Sequence, residues 1–174
     1  MPQDYRVASG LIFDDDKILL VQNLRRNATR DWSTPGGVVD AGEQVLEALS
    51  REVAEETALI VHDWSPMLYS VDVDFIGRSL TLHAEIYKAA RFAGDLHVDD
   101  PDLVVVDGRW VTREKADELL DQSPRWVAEP LRYALGAEPE LDRTPPDEWR
   151  FEVSNLGADM VVTLLGGPGS RPDR

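Results

Sequence analysis

Apolar residues cluster at Val7, Leu11, Ile12 and Phe13 and again at Ile18, Leu19, Leu20 and Val21, with the turn-like Asp14-Asp15-Asp16 between. Short runs bounded by turn residues predict strands over 6–13 and 17–22, and their nearly continuous apolar character predicts cover on both faces. A polar loop over 23–33 follows. Thr34-Pro35-Gly36-Gly37 breaks regular structure, and Val38-Val39-Asp40 reads as a short extended piece. From 43 to 57 there is no glycine or proline, helix-forming residues dominate, and Leu46, Leu49 and Val53 recur at spacings of three and four. That pattern predicts an amphipathic helix with one apolar stripe. Strand-like segments return at 67–75, 79–90 and 103–111, and helical patterns occupy 112–120 and 124–135. Strands around a central helix, with helices again near the end, predict an α/β sandwich.

Pro145-Pro146 reads as a stiff joint. The expected organisation is a main domain over 1–140 and an extension over 141–174. Segments 149–153 and 160–165 are expected to form a terminal hairpin, and the Gly- and Pro-rich stretch 166–174 to fray.

Composition narrows the chemistry. The chain has 174 residues, 43% of them hydrophobic, which suits one domain with a proper core. It has no cysteine, so disulfides, thiolate metal sites and cysteine nucleophiles are excluded. His62, His83 and His97 do not share a zinc-clamping spacing on one helix. No apolar run reaches the roughly 20 residues that span a bilayer, so no membrane partner is expected. Met1-Pro2-Gln3-Asp4 lacks a basic leader, and with the absent cysteines this makes the cytoplasm the expected location. The net charge of −15 opposes binding to a nucleic-acid polymer. A small phosphorylated substrate stays compatible with it if a divalent cation bridges the two sets of negative charge.

The informative chemistry lies between Gly37 and Leu59. At 100° per residue, Glu52, Glu55 and Glu56 fall within an arc of roughly 100°. Like charges at this spacing destabilise a helix, and a hard divalent cation held by oxygen ligands is the natural compensation. Val45, Ala48 and Leu59 share the same arc, which turns the acids partly toward the protein body, unlike a fully solvated acidic face.

Gly37, Glu43, Arg51-Glu52, the aliphatic Val53, Glu55-Glu56 and the aliphatic Leu59 stand at a spacing that resembles the Nudix box. Pro35-Gly36-Gly37 before it and the strand order around it also look like that family. One position departs: the family's last glycine is Ala58 here, and alanine in a left-handed helix exit costs on the order of 1 kcal/mol.

The resemblance implies a Nudix-type α/β/α sandwich with a mixed β-sheet. It implies magnesium, with manganese as a substitute, bound by Glu52, Glu55 and Glu56 with the Gly37 carbonyl. Glu43 and Arg51 would shape the loop and orient the carboxylates. A box carboxylate would serve as general base, Glu55 first and Glu52 second, or one from a later loop. Asp100 and Asp102 are the later-loop candidates, against an ordinary polar loop. Arg25, Arg26 and Arg30 form a basic cluster suited to phosphate recognition, against a solvated loop. Trp32 reads as packing rather than stacking, and Tyr5, Phe75 and Tyr87 as residues able to line a pocket. His83 reads as a satisfied core histidine.

No Gly-x-Ser-x-Gly elbow and no Walker-type loop occurs, which argues against serine hydrolase and P-loop ATPase chemistry. The expected function is hydrolysis of a diphosphate linkage in a small nucleotide-type substrate. Nucleoside triphosphates, canonical or oxidised, come first, and ADP-ribose or dinucleotide substrates second. A non-catalytic nucleotide sensor is the competing class, but it would be expected to lack box carboxylates that are all present here. A homodimer through the terminal hairpin is the remaining expectation.

Overall fold

The computed structural model describes residues 3–137, 146–155 and 160–168. Two sheets carry the chain. The larger is built from β1 (Gln3–Leu11), β5 (Gly36–Val38), β6 (Ile60–Trp64), β7 (Tyr69–Phe75), β8 (Leu80–Ala93), β10 (Asp147–Ser154) and β11 (Val161–Gly166). Its order is β11-β10-β7-β8-β1-β5, with β6 on the far part of β8. It is mixed: β1 lies parallel to β8 and β10 parallel to β7, and the other pairs are antiparallel. The smaller sheet joins β2 (Phe13–Asp14), β3 (Lys17–Leu24) and β4 (Arg30–Ser33), with β9 (Val105–Val111) also paired to β3.

Three helices complete the layers: α1 (Val45–Thr57), α2 (Arg113–Leu120) and α3 (Arg125–Ala137). The expected α/β architecture with a mixed sheet is the one found. Alternation along β1 explains how the sheet serves two cores. Ala8 packs with Leu49 and Val53 of α1 and with Leu59 and Tyr87, whereas Leu11 joins the core that holds Leu131 and Leu135 of α3. A strand covered on both faces needs apolar residues at successive positions, which is what its sequence supplies.

Two strands were not expected. The loop predicted over 23–33 contains β4, where Arg30 and Asp31 mask a strand whose Trp32 is buried in the core. β6 follows α1 after only two residues, leaving no turn cluster to mark its start. Residues 6–13 divide at Ile12 into β1 and β2.

In the C-terminal region, β10 pairs with β11 on one side and runs parallel to β7 on the other, Trp149 facing Val71 and Phe151 facing Val73. Pro145 of the predicted joint, and 169–174 of the predicted tail, lie outside the described residues.

Helix α1 ends where Ala58 takes a left-handed conformation, φ 61° and ψ 6°, while its N–H still bonds the Ala54 carbonyl at 3.0 Å. This is a glycine's conformation imposed on an exposed alanine. Ala58→Gly should therefore raise stability by about 1 kcal/mol. Urea denaturation measures it, and an unchanged or lowered midpoint would show that the left-handed exit stores no strain.

Candidate active site

The site begins at Gly36 and Gly37 of β5, a strand paired with β1 and in contact with α1. A Cβ on Gly37 would lie 2.4 Å from Cδ of Glu52, so the Glu52 carboxylate rests directly on the glycine backbone. Gly36 has φ 148°, and a Cβ there would meet the Ala8 carbonyl oxygen at 2.1 Å. With Gly36 opposite Ser9 and Gly37 opposite Ala8, a side chain at Gly36 would push β5 off the β1 backbone, and one at Gly37 would displace the Glu52 carboxylate. Ser9 Oγ sits 2.6 Å from Thr34 Oγ1 and anchors the approach to β5.

Arg51 organises the acids of α1. Its Nε and Nη2 each donate to Glu43 at 3.0 Å, while Nη1 donates to Glu52 at 2.8 Å and to Glu55 at 3.4 Å. These hydrogen bonds from Glu43 and Glu52 push the guanidinium further above its usual range. The Arg51 hydrogen bond holds Glu43 below the usual carboxylate range. Glu43 also accepts the Asp40 N–H at 3.2 Å and so closes the loop before α1.

The other carboxylates differ in environment. Burial raises Glu52, Arg51 opposes that, and the charges of Glu55 and Asp102 add to the rise. Glu56 is buried and is pushed up to about 8. Burial is the main cause, opposed by the Gly36 N–H at 3.0 Å and reinforced by Glu52, Asp100 and Glu55. Glu55 is exposed.

The donors are all oxygen, the set a hard divalent cation prefers, and two of the acids are disfavoured as anions until such a charge arrives. The residues therefore fit the cation that the resemblance implies. Among the described residues no three acidic or histidine side chains already converge as a ligand cluster. Arg51 is bonded to two of the three carboxylates in that state.

Glu52 and Glu56 border a cleft of about 1130 Å³ floored by the larger sheet. The predicted residues distribute unevenly around it. Gly37, Arg25, Arg26, Asp100 and Asp102 line it, and Arg30 and Glu55 do not. Arg30 instead reaches Gln22 at 3.3 Å. Arg25 is bonded twice to Asp31, at 2.5 and 2.7 Å, whereas Arg26 has no ion-pair partner among the described residues. Asp100 is buried, and its carboxylate accepts the N–H groups of Asp102, Val104 and Val105, so it holds its own loop together.

Of the aromatic candidates, Phe75 lines the cleft, edge-on to Trp126 at 5.6 Å. Tyr5 is exposed, and Tyr87 packs beneath α1. Trp32 is buried in the core. His83 is not a core residue: its half-exposed ring bonds Asp72 at 2.6 Å on an outward-facing row of the sheet. Sequence reasoning missed Asn23, Asp31, Tyr69 and Trp126 as cleft residues. The buried Asn23–Asp31 pair could be found only from the register of β3 against β4.

A family model described as the NUDIX domain matches residues 4–133. The human protein named 8-oxo-dGDP phosphatase NUDT18 is 38% identical over 32% of this chain and 17% of its own length, so the chain spans about a sixth of that relative. A putative 8-oxo-dGTP diphosphatase 2 of Mycobacterium tuberculosis (strain H37Rv) is 29% identical, with 79% of this chain and 95% of the relative covered. A solved structure of a mutator MutT protein from Bacillus halodurans shares the fold, at TM-score 0.66 and 22% identity over 94% of this chain and 95% of that one.

A raised carboxylate makes folding pH-dependent with a definite sign. Folded Glu56 holds its proton to about 8, the unfolded residue releases it near the ordinary value of 4.5, and the folded state therefore binds more protons in between. In chelator, the wild type should lose stability relative to Glu56→Gln as pH rises from about 4.5 to 8. Thermal melts of both proteins across that window measure it, and parallel curves would contradict the buried-acid assignment.

Proposed function

The chain belongs to the Nudix family, and from that premise we propose that it is a magnesium-dependent pyrophosphohydrolase of small nucleotides. The observation that carries this reading is the acidic cluster of α1, tied together by Arg51 and bordering a cleft large enough for a nucleotide. Glu52, Glu55, Glu56 and the Gly37 carbonyl are the ligands for magnesium, or for manganese in its place. When bound, the cation neutralises phosphate charge and acidifies a water.

The chain's own residues supply position and a base. Glu43 fixes Arg51, Arg51 fixes Glu52, and the backbone of Gly36 and Gly37 in β5 is the surface against which Glu56 and Glu52 rest. Glu55, exposed and held only by the 3.4 Å contact to Arg51, is the carboxylate freest to accept a proton from the attacking water. Glu52, only partly exposed and raised, is second. Nucleoside triphosphates, including oxidised ones, are the first substrates of this reading. Relatives carry 8-oxo-dGTP and 8-oxo-dGDP in their names, and Phe75 with Trp126 gives the cleft an aromatic wall.

A sensor without turnover is disfavoured because Glu43, Arg51, Glu52, Glu55 and Glu56 are all in place. Glu55→Gln should lower magnesium-dependent turnover by about 10²-fold or more, with folding retained. The panel is canonical and oxidised nucleoside triphosphates, ADP-ribose and dinucleoside polyphosphates, with coupled pyrophosphatase. Undiminished activity in the variant would remove Glu55 from the role, and wild-type silence across the panel would favour the sensor.

No helix among the described residues is long and apolar enough to cross a membrane. The same reading includes a homodimer through the β10–β11 hairpin. Its outer strand is the edge of the larger sheet and exposes Val161 and Leu165. Light scattering in solution should return twice the chain mass, and a monomeric mass removes the dimer.

A further inference from the structure

On the smaller sheet, Asn23 of β3 faces Asp31 of β4, and each is only 6% exposed. Both hydrogens of the Asn23 amide are spent: Nδ2 donates to Asp31 Oδ1 at 3.0 Å and to Ser33 Oγ at 2.9 Å. Asp31 is in turn gripped by Arg25, which donates from Nε and Nη2 to its two oxygens. A carboxylate so held only accepts, and it therefore fixes which way the amide points. The nitrogen must face Asp31 and the carbonyl oxygen must face away.

That oxygen, Asn23 Oδ1, has no hydrogen-bond partner among the described residues. It is not sealed in either, because Trp149 Nε1 is the only fully enclosed side-chain polar atom without a partner among them. Asn23, Arg25, Asp31 and Ser33 all line the cleft that Glu52 and Glu56 border. The cleft thus presents a buried acceptor with a locked orientation. Such an atom repels phosphate oxygens and binds an N–H or O–H donor.

We infer that Asn23 reads the nucleoside part of the substrate through this fixed acceptor, with Asp31 and Arg25 as positioning residues that keep its amide from turning. The inference rests on the reading of the cleft as a nucleotide site. Two donors of a nucleoside suit it: a ribose 2′-hydroxyl, or the N7–H that an oxidised purine carries where an unmodified purine has a lone pair. Either makes the site selective by leaving a buried acceptor unpaired when the donor is missing.

The test is calorimetric binding of dGMP, GMP and 8-oxo-dGMP to the purified full chain in chelator. The wild type should prefer one donor-bearing ligand over dGMP by about tenfold, the value of one such hydrogen bond. GMP marks the hydroxyl as the donor, and 8-oxo-dGMP the base N–H. Asp31→Asn frees the amide to turn, and Arg25→Lys loosens the grip on Asp31. Each should shrink the preference to about twofold, through loss of affinity for the donor-bearing ligand.

Arg25 is half-exposed, so its replacement by lysine keeps the fold even where the buried Asp31 variant does not. Equal weakening of all three ligands by Arg25→Lys would make Arg25 a phosphate ligand and overturn the inference. A wild type without preference among the three overturns it too. Monophosphate binding needs no turnover, so a failure of the hydrolase reading shows separately, in the magnesium-dependent assay.

Discussion

The repulsion among carboxylates on one face of α1 is the constraint around which the site is built. Two unit charges 4 Å apart near a protein surface repel by about 4 kcal/mol, comparable to the margin by which a domain is stable. The structure meets this in three ways at once. Arg51 shares its guanidinium among Glu43, Glu52 and Glu55, the Gly36 N–H is directed at Glu56, and burial lets Glu56 hold a proton near neutral pH. In the proposed reading a divalent cation would add its charge to these devices at the same place.

Gly37 follows from the same constraint, whereas Gly36 is required by the β1 backbone it crosses. For Glu52 to be shielded by Arg51 and still border the cleft, its carboxylate must press on the β5 backbone, and only a residue without Cβ leaves room. β5 is thereby clamped between α1 and β1. On the opposite side of the sheet, β10 runs along β7, whose Tyr69, Val71 and Phe75 form part of the cleft floor. The C-terminal strands therefore extend the sheet beside the cleft floor and supply none of the α1 acids.

How much of this was legible depends on whether a feature is local. The helix and its acidic face are set by spacings within a few turns of chain and could be read directly, whereas Gly36 and Gly37, read as a break in regular structure, lie in β5. The left-handed exit at Ala58 was likewise visible as a departure from the expected glycine. Features created by strand register could not be read. Arg25 looks like a free cation in a polar loop until β4 brings Asp31 against it, and Arg30 sits in the same cluster but turns away to Gln22. Asp100 offers the residue type of a ligand, yet three backbone N–H groups occupy its carboxylate. His83 has the apolar neighbours of a core residue, but the alternation of β8 places it on the outer face opposite Asp72.

The cleft is polarised in a way that matches the molecule it is proposed to hold. Along α1 its wall is a set of oxygen anions that can meet a phosphate only through a cation. By Trp126 and Phe75 the wall is aromatic, and at Asn23 it offers a neutral acceptor whose direction is fixed by a buried ion pair. A nucleotide has the same polarity, anionic at its phosphates and neutral, planar and donor-bearing at its base. In the proposed reading an acidic protein would bind a polyanion without a basic groove: metal would answer the phosphate charge, and the ion pairs of the protein would be left to orient neutral groups. Arg25 illustrates the point, since its charge is spent on Asp31 to aim an amide and is not left open to phosphate.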